Sequence, residues 1–158
     1  MAHEYKATIH WQRGTQPFTD RKYGRGHDWR FDGLTVAGSS SPAVVKVPLS
    51  REDAIDPEEA LVAALSSCHM LFFLEFAAKA GFRIDDYRDD AVGIMGKSPA
   101  GRIMMTTATL SPNVVFSGDK RPSPADVADL HHRSHEACYI ANSFRGEVVI
   151  AVIPPVFA

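Results

Sequence analysis

The sequence contains little cysteine: only two of its 158 residues are cysteines, at positions 68 and 138. It has no long run of like charges and a formal net charge of only −2, which argues against a protein dominated by contacts to nucleic-acid phosphates. Internal repeats and low-complexity tracts are also missing. The first ten residues have no apolar core of the signal-peptide type. We therefore expect a cytoplasmic protein with no nucleic-acid or membrane partner, folded as a single domain over residues 1–158.

The most apolar stretch, residues 60–82, predicts a core helix. It carries His69, Glu75 and Lys79, which favour a buried helix over a membrane span. Asp56 can cap the free N–H groups at its start, Pro57 suits the first helical position, and Glu59 completes a capping box. We expect the helix to end near residue 80. Its apolar side chains point in nearly every direction, so it needs cover on several sides, from a wrapping sheet or a second subunit.

The remaining elements predict an α+β fold with a largely antiparallel sheet. Alternation indicates a strand at the N-terminus, and an Asp-Gly turn signal indicates a first hairpin. A Ser-Pro-x-Asp start indicates a second helix. The expected elements are strands over 4–11, 27–31 and 34–37, a hairpin of 88–96 with 102–110, a short strand over 114–116, a helix over 124–137 and a strand over 146–153.

The two cysteines are the candidates for chemistry. Two cysteines in a reducing cytosol seldom form a structural disulfide, so they are either small core residues or reactive thiols. Cys68 lies in mid-helix, where no helix dipole lowers its pKa. Cys138 follows the second predicted helix. The pair fits an attacking and a resolving thiol, but spacing alone favours inert core residues over a redox pair.

Two other functions are compatible with the residues. His131, His135 and Cys138 share the spacing of one helix face and could hold zinc, although no tight ligand doublet is present. Alternatively, Cys68 could be the nucleophile of a thiol hydrolase. The adjacent His69 points about 100° away on the helix, so such an enzyme would need a histidine from elsewhere.

Two segments carry a resemblance to a known family. Residues 56–68 (DPEEALVAALSSC) resemble the Asn-Pro-Glu-x-Leu-…-Cys segment of the OsmC/Ohr family. Residues 134–138 (SHEAC), followed by Asn142, are similar to its His-Glu-x-Cys-Pro-x-Ser-Asn segment. The order of the elements agrees from about residue 5 to residue 153. This resemblance implies an intertwined homodimer with antiparallel sheets around buried central helices.

The resemblance also implies the chemistry. It makes Cys68 the thiolate that attacks a hydroperoxide and Cys138 the thiol that resolves the sulfenic acid into a disulfide. The family's glutamate falls on Glu58, and its catalytic arginine falls on Arg25, with Arg30 as the alternative. Glu58 lies ten residues before Cys68, or about 15 Å along the helix. An Arg–Glu pair must therefore reach the thiol across a fold or a subunit boundary.

Further expectations concern substrate and reductant. Phe72 and Phe73 lie within about two turns of Cys68 and could line a pocket for organic hydroperoxides, although ordinary core packing is the commoner role for such residues. We expect no metal or other cofactor, and an external dithiol reductant, lipoyl-type dithiols included. Tyr139 departs from the family pattern, because a proline commonly follows the second cysteine. A non-catalytic OsmC-like stress or small-molecule-binding protein with inert cysteines is the main alternative.

Overall fold

The computed structural model describes residues 3–158, which divide into two compact units. The first reaches Ala60 and the second runs from Leu61 to Ala158. The first unit contains an antiparallel sheet in the order β1-β2-β3, and Gly33, at φ 75°, supplies the turn between β2 and β3. The strands of this sheet are β1 Thr8–His10, β2 His27–Phe31 and β3 Leu34–Gly38.

The second unit contains two three-stranded sheets, in the orders β4-β7-β9 and β5-β6-β8. Its strands are β4 Arg83–Asp89, β5 Val92–Lys97, β6 Ile103–Leu110, β7 Pro112–Ser117, β8 Glu147–Ile150 and β9 Val156–Phe157. The pairs β4–β7 and β5–β6 are antiparallel, whereas β6–β8 and β7–β9 are parallel. The α+β class is confirmed, and most strand pairs are antiparallel as expected.

Three helices accompany the sheets: α1 Pro57–Lys79, α2 Pro124–Ala137 and α3 Tyr139–Ser143. Helix α1 begins in the last residues of the first unit and continues in the second. Its capping box is formed, because the Asp56 carboxylate accepts from the Glu59 N–H at 2.8 Å and Glu59 accepts from the Asp56 N–H at 3.4 Å. Ser123 and Asp126 form the same motif at the start of α2. The caps therefore set both helix starts where the sequence predicts them.

Four sequence-based boundaries are wrong. The strand expected over 4–11 is confined to β1, and that expected over 146–153 is confined to β8. The strand expected over 88–96 instead belongs partly to β4, which ends at Asp89, and partly to β5. Charged residues and a bulge between Ile84 and Asp86 hide the alternation of β4. The short strand expected over 114–116 is the longer β7, and α3 and β9 were not expected.

Helix α1 is buried along one stripe. Leu65, His69, Phe73 and Ala77, each four residues after the last, are the buried residues of the helix. By length and composition, α1 could cross a membrane, but this stripe packs into the protein core. Leu71, in contrast, is 60% exposed. The chain itself therefore covers one side of a helix that is apolar all round.

The buried residues form two clusters. One joins Phe73 and Ala77 of α1 to α2 and β7, with Val114, Phe116, Val127 and Leu130. The other joins Leu65 to β6 and to the end of α2, with Met105, Ala108, Leu110 and Cys138. Helix α1 contributes to both clusters and thereby connects the two halves of the core.

Two histidines lie inside this core. His69 on α1 is 1% exposed and His131 on α2 is 2% exposed. Nε2 of His69 lies 3.1 Å from Nδ1 of His131, and the ring planes differ by only 11°. Burial lowers the pKa of each imidazole to about 4. Both rings are therefore neutral near pH 7, where one donates the N–H that the other accepts.

Acidification should destabilise the fold through this pair. The unfolded chain binds these protons near pH 6.5 and the folded chain only near pH 4. The contribution to the free energy of unfolding is therefore complete above pH 6.5 and falls as the pH drops towards 4, by up to about 1.4 kcal/mol per pH unit for each histidine. Urea titrations between about pH 7.5 and 4.5 measure this slope.

The double variant His69→Gln/His131→Asn is the comparison, because neither amide titrates in this range. It should show a shallower slope than the wild type. His132→Asn removes a neighbouring exposed histidine and should keep the wild-type slope. Equal slopes in all three proteins would contradict the prediction.

Candidate active site

The structure brings the two cysteines together. Cys68 lies on α1 and is partly exposed, whereas Cys138 follows α2 and has no exposed surface. Cys68 packs against the same buried cluster that contains Cys138. The two thiols are neighbours, close enough for Cys68 to raise the pKa of Cys138, and neither is in a disulfide. The fold therefore places the two thiols side by side, as a redox pair requires.

The backbone around Cys138 fixes its sulfur. Helix α2 ends where Cys138 adopts an extended conformation, φ −67° and ψ 112°, and its N–H bonds to the His135 carbonyl. Its Sγ accepts from the N–H of Ala141 at 3.3 Å and thereby caps α3. Tyr139, which stands where the family commonly has proline, is the first residue of α3 and meets the Phe72 ring edge to face. A helix therefore starts directly after the second cysteine without the proline.

The environments of the two thiols differ. Burial, with the hydrogen bond to Cys68 as a second cause, raises the pKa of Cys138 to about 11. Cys138 is therefore a protonated thiol at neutral pH. A reactant from solvent needs a thiolate that it can reach, and Cys68 is the partly exposed member of the pair.

The surroundings of the thiols are apolar. Phe72 is half-buried and packs against the cluster that contains both cysteines. Phe73 has no exposed surface and belongs to the other cluster, with its ring 4.3 Å from that of His131. A cavity of about 330 Å³ opens beside the cysteine cluster, lined by Leu61, Met104, Met105, Ile140, Ser143, Phe144 and Arg145. The substrate-binding roles of Phe72 and Phe73 stay predictions.

The two candidate arginines lie in the first unit and differ in their partners. The guanidinium of Arg25 stacks 3.8 Å from the centre of the Tyr23 ring and donates to the carbonyls of Arg21 and Tyr23. Arg30 is exposed and forms an ion pair with Asp28 at 3.1 Å. Among residues 3–158, no carboxylate pairs with Arg25. Arg25 thus keeps its charge free for another anion.

Glu58 occupies the first turn of α1 and is half-buried. Within the described part of the chain, it forms no ion pair with Arg25 or any other cation. The expected Arg25–Glu58 pair is therefore not made inside one chain, and its formation across a subunit boundary stays a prediction.

Sequence reasoning named His131 and His135 only as zinc candidates and missed the His69–His131 pair. The sequence did contain a signal that His69 is buried, because it lies midway between Leu65 and Phe73 in a row of residues spaced by four along α1. In the structure, His131 uses Nδ1 towards His69, and Cys138 is a neighbour of Cys68. No group of three or more His, Cys, Asp or Glu side chains within residues 3–158 is arranged to hold a metal ion.

Alkylation should separate the thiols. With iodoacetamide at about pH 8, native reduced protein should be modified at Cys68, while the buried, protonated Cys138 remains free. Peptide mass spectrometry identifies the labelled residue. The variant Cys68→Ser should remain unlabelled while native and take one label once unfolded in urea. Labelling of native Cys138 as fast as Cys68 would contradict the assigned environments.

Comparison with known proteins identifies the fold. A family model described as OsmC-like protein matches residues 50–153. The solved structure of an OsmC-like protein of unknown function from Vibrio cholerae is 49% identical, with a TM-score of 0.95, and the match covers 96% of this chain and 100% of that one. No curated protein sequence matches.

Two more distant structures share the fold. An organic hydroperoxide resistance protein from Elizabethkingia anophelis is 15% identical at a TM-score of 0.65, over 100% of this chain and 97% of that one. The organic hydroperoxide resistance protein OhrB of Bacillus subtilis is 16% identical at a TM-score of 0.59, over 99% and 98%. With the family match and the architecture, these likenesses lead to one conclusion: the chain belongs to the OsmC/Ohr family of OsmC-like proteins.

Proposed function

We propose that this protein is a thiol-dependent peroxidase that reduces organic hydroperoxides, and hydrogen peroxide as well, through a Cys68–Cys138 disulfide. The observation that carries the proposal is that one accessible and one buried thiol lie side by side. An attacking cysteine must meet a peroxide from solvent, whereas a resolving cysteine must meet only the oxidised sulfur. The partial exposure of Cys68 suits the attacking role, and the complete burial of Cys138 suits the resolving role. A pair of inert core cysteines would not require this difference in exposure.

The reaction follows from the chemistry of a thiol pair. The Cys68 thiolate attacks the outer oxygen of the hydroperoxide, so an S–O bond forms, the O–O bond breaks, and the alkoxide takes up a proton and leaves as an alcohol. Cys68 is thereby oxidised to a sulfenic acid. Cys138 then bonds to that sulfur, and water leaves with the hydroxyl group and the thiol proton. An external dithiol reduces the disulfide to two thiols and is itself oxidised to a disulfide.

The Cys138 thiol supports the first step as well as the second. Because its pKa is raised to about 11, it keeps its proton at neutral pH and can donate it in a hydrogen bond to the Cys68 thiolate. The same proton is available to the departing hydroxide when the disulfide closes.

Arg25 is the better candidate for holding the peroxide. Arg30 is already neutralised by Asp28, whereas Arg25 is stacked on Tyr23 and bound only to neutral carbonyl oxygens. Arg25 is therefore still open to a carboxylate, and in this proposal Glu58 orients it through a bidentate pair made between two subunits. The remaining N–H groups of the guanidinium can then stabilise a thiolate and a departing alkoxide.

The uncovered apolar surface of the second unit supports a homodimer. Leu71 on α1 is 60% exposed and Ile103 on β6 is 65% exposed, and Val92 and Ile94 of β5 are each more than half exposed. Surface of this kind marks an interaction site, and a second copy of the chain offers a matching apolar face. The same dimer would supply the cover that an all-round apolar α1 requires.

Apolar surroundings favour an organic hydroperoxide as substrate. The cavity beside the cysteine cluster is lined mainly by aliphatic, methionine and phenylalanine side chains, with one charged residue, Arg145. The names of the relatives from Elizabethkingia anophelis and Bacillus subtilis point to the same substrate class. The cycle uses only the two thiols and an external dithiol, for which a lipoyl-type dithiol is suitable, and it operates in the reducing cytoplasm.

Peroxide treatment tests the cycle. Reduced protein treated with cumene hydroperoxide should lose two free thiols and the mass of two hydrogens, as measured by thiol titration and intact-protein mass spectrometry. Cys138→Ser should stop at the sulfenic acid or oxidise further at Cys68. The assignment fails if Cys68→Ser consumes the peroxide as fast as the wild type.

The two arginines provide a matched comparison. Arg25→Met should slow the reaction of Cys68 with the hydroperoxide on the order of 10²-fold, because a positioned cation at the developing charge is lost. Stopped-flow measurement of sulfenic acid formation under single-turnover conditions gives the rate constant. Arg30→Met, which removes an equally charged residue from the same strand region, should leave the rate within about twofold of wild type. The reverse ranking would transfer the role to Arg30.

A further inference from the structure

The buried histidine pair has a defined place relative to the two thiols. His69 directly follows Cys68 on α1. His131 lies on α2, seven residues or about two turns before Cys138, which caps the end of that helix. The hydrogen bond between the rings therefore joins the two helices that carry the two sulfurs. Any sliding or rotation of α1 against α2 changes this bond and the distance between the sulfurs together.

Most of the contact between α1 and α2 is non-directional. Phe73 and Ala77 of α1 pack against Val127 and Leu130 of α2, and apolar packing of this kind tolerates small shifts. Between these two helices, the described residues make one side-chain hydrogen bond, from ring to ring of His69 and His131. Hydrogen bonds depend steeply on distance and angle. This hydrogen bond is therefore the contact that most strongly restricts how far α1 can shift along α2.

Burial makes the bond hard to replace. The two rings are 1% and 2% exposed, so neither nitrogen can exchange its partner for bulk water. A shift that broke the bond would leave two buried polar atoms unsatisfied. Nε2 of His131 already lacks a partner, which makes its Nδ1 the only nitrogen of that ring with a hydrogen bond among the described residues.

We propose that the His69–His131 hydrogen bond sets the register of α1 against α2 and thereby holds Cys68 and Cys138 in position to form their disulfide. Both histidines are positioning residues, since neither touches the reacting sulfur atoms in this role. The inference rests on the proposed function for its redox pair, and it adds the interaction that keeps the two thiols close together. If the proposal is correct, the hydrogen bond raises the effective concentration of one thiol relative to the other, which can be measured.

Replacements at position 131 separate hydrogen bonding from packing. The Asn side chain places an amide close to the position of Nδ1, so His131→Asn can keep the bond to His69 but loses most of the ring. His131→Phe keeps a ring to pack on Phe73 but has no donor or acceptor. If the hydrogen bond sets the register, Asn preserves the position of the thiols and Phe does not. If packing sets it, the order is reversed.

Equilibration with glutathione measures the thiol pair without any peroxide. Oxidised glutathione accepts two electrons and becomes two reduced glutathione molecules, while Cys68 and Cys138 lose two protons and form one S–S bond. After acid quenching and alkylation, mass spectrometry gives the fraction of disulfide at each glutathione ratio, and hence the equilibrium constant. We expect a value at least tenfold lower for His131→Phe than for wild type, and a value within about threefold of wild type for His131→Asn.

Controls come from the same two helices. His132→Phe and His132→Asn change the adjacent, exposed histidine and should leave the constant unchanged. Position 69 repeats the contrast independently, because the Gln amide reaches the position of Nε2: His69→Gln should keep the constant and His69→Phe should lower it. This second pair decides the question if His131→Phe does not fold, as judged by circular dichroism.

The possible results separate this inference from the proposed function. If wild type and His131→Phe give equal constants, or if Asn lowers the constant more than Phe, the positioning role is overturned while the peroxidase proposal stands. If the wild-type disulfide forms and the Phe variants weaken it, the inference holds even for a protein that turns over no hydroperoxide.

Discussion

The packing of α1 against α2 is the constraint on which the candidate site depends. Cys68 lies in the middle of one helix and Cys138 at the end of the other, so their contact exists only while the helices keep one register. Phe73 and Ala77 supply the apolar burial that holds the helices together. A hydrogen bond between two neutral histidines adds direction to that burial. The site thus depends on core packing as much as on the two sulfur atoms.

Local chemistry made much of the fold predictable. The starts of α1 and α2 follow from capping boxes at Asp56 and Ser123, and the first hairpin follows from its Asp-Gly turn, because these signals act within a few residues. Strand β4 was hidden because its charges and bulge break the alternation. Strand β9 follows two prolines and pairs with β7, a contact that no local pattern encodes.

The candidate site was predictable in part for the same reason. The two cysteine segments are local motifs, so the resemblance identified them, but the pairing of His69 with His131 joins positions 62 residues apart. The position of His69 in a stripe of apolar residues spaced by four indicates that the histidine is buried. It does not identify the residue with which His69 pairs. The apolar residues at 61 and 71 similarly show that α1 needs cover, and they do not specify which chain provides it.

In the proposed cycle, one feature of Cys138 would link redox state to backbone structure. Its sulfur is a member of the thiol pair and also the acceptor that satisfies the Ala141 N–H at the start of α3. A sulfur bonded to another sulfur is a poorer acceptor than a thiol or thiolate, so the proposed disulfide and this short helix would destabilise each other. By reciprocity, a more stable α3 would favour the reduced form. Tyr139 is exposed on α3 and packs against Phe72. A reductant that opens the proposed disulfide would first contact α3 at this residue, and its binding could therefore shift the equilibrium between the two forms.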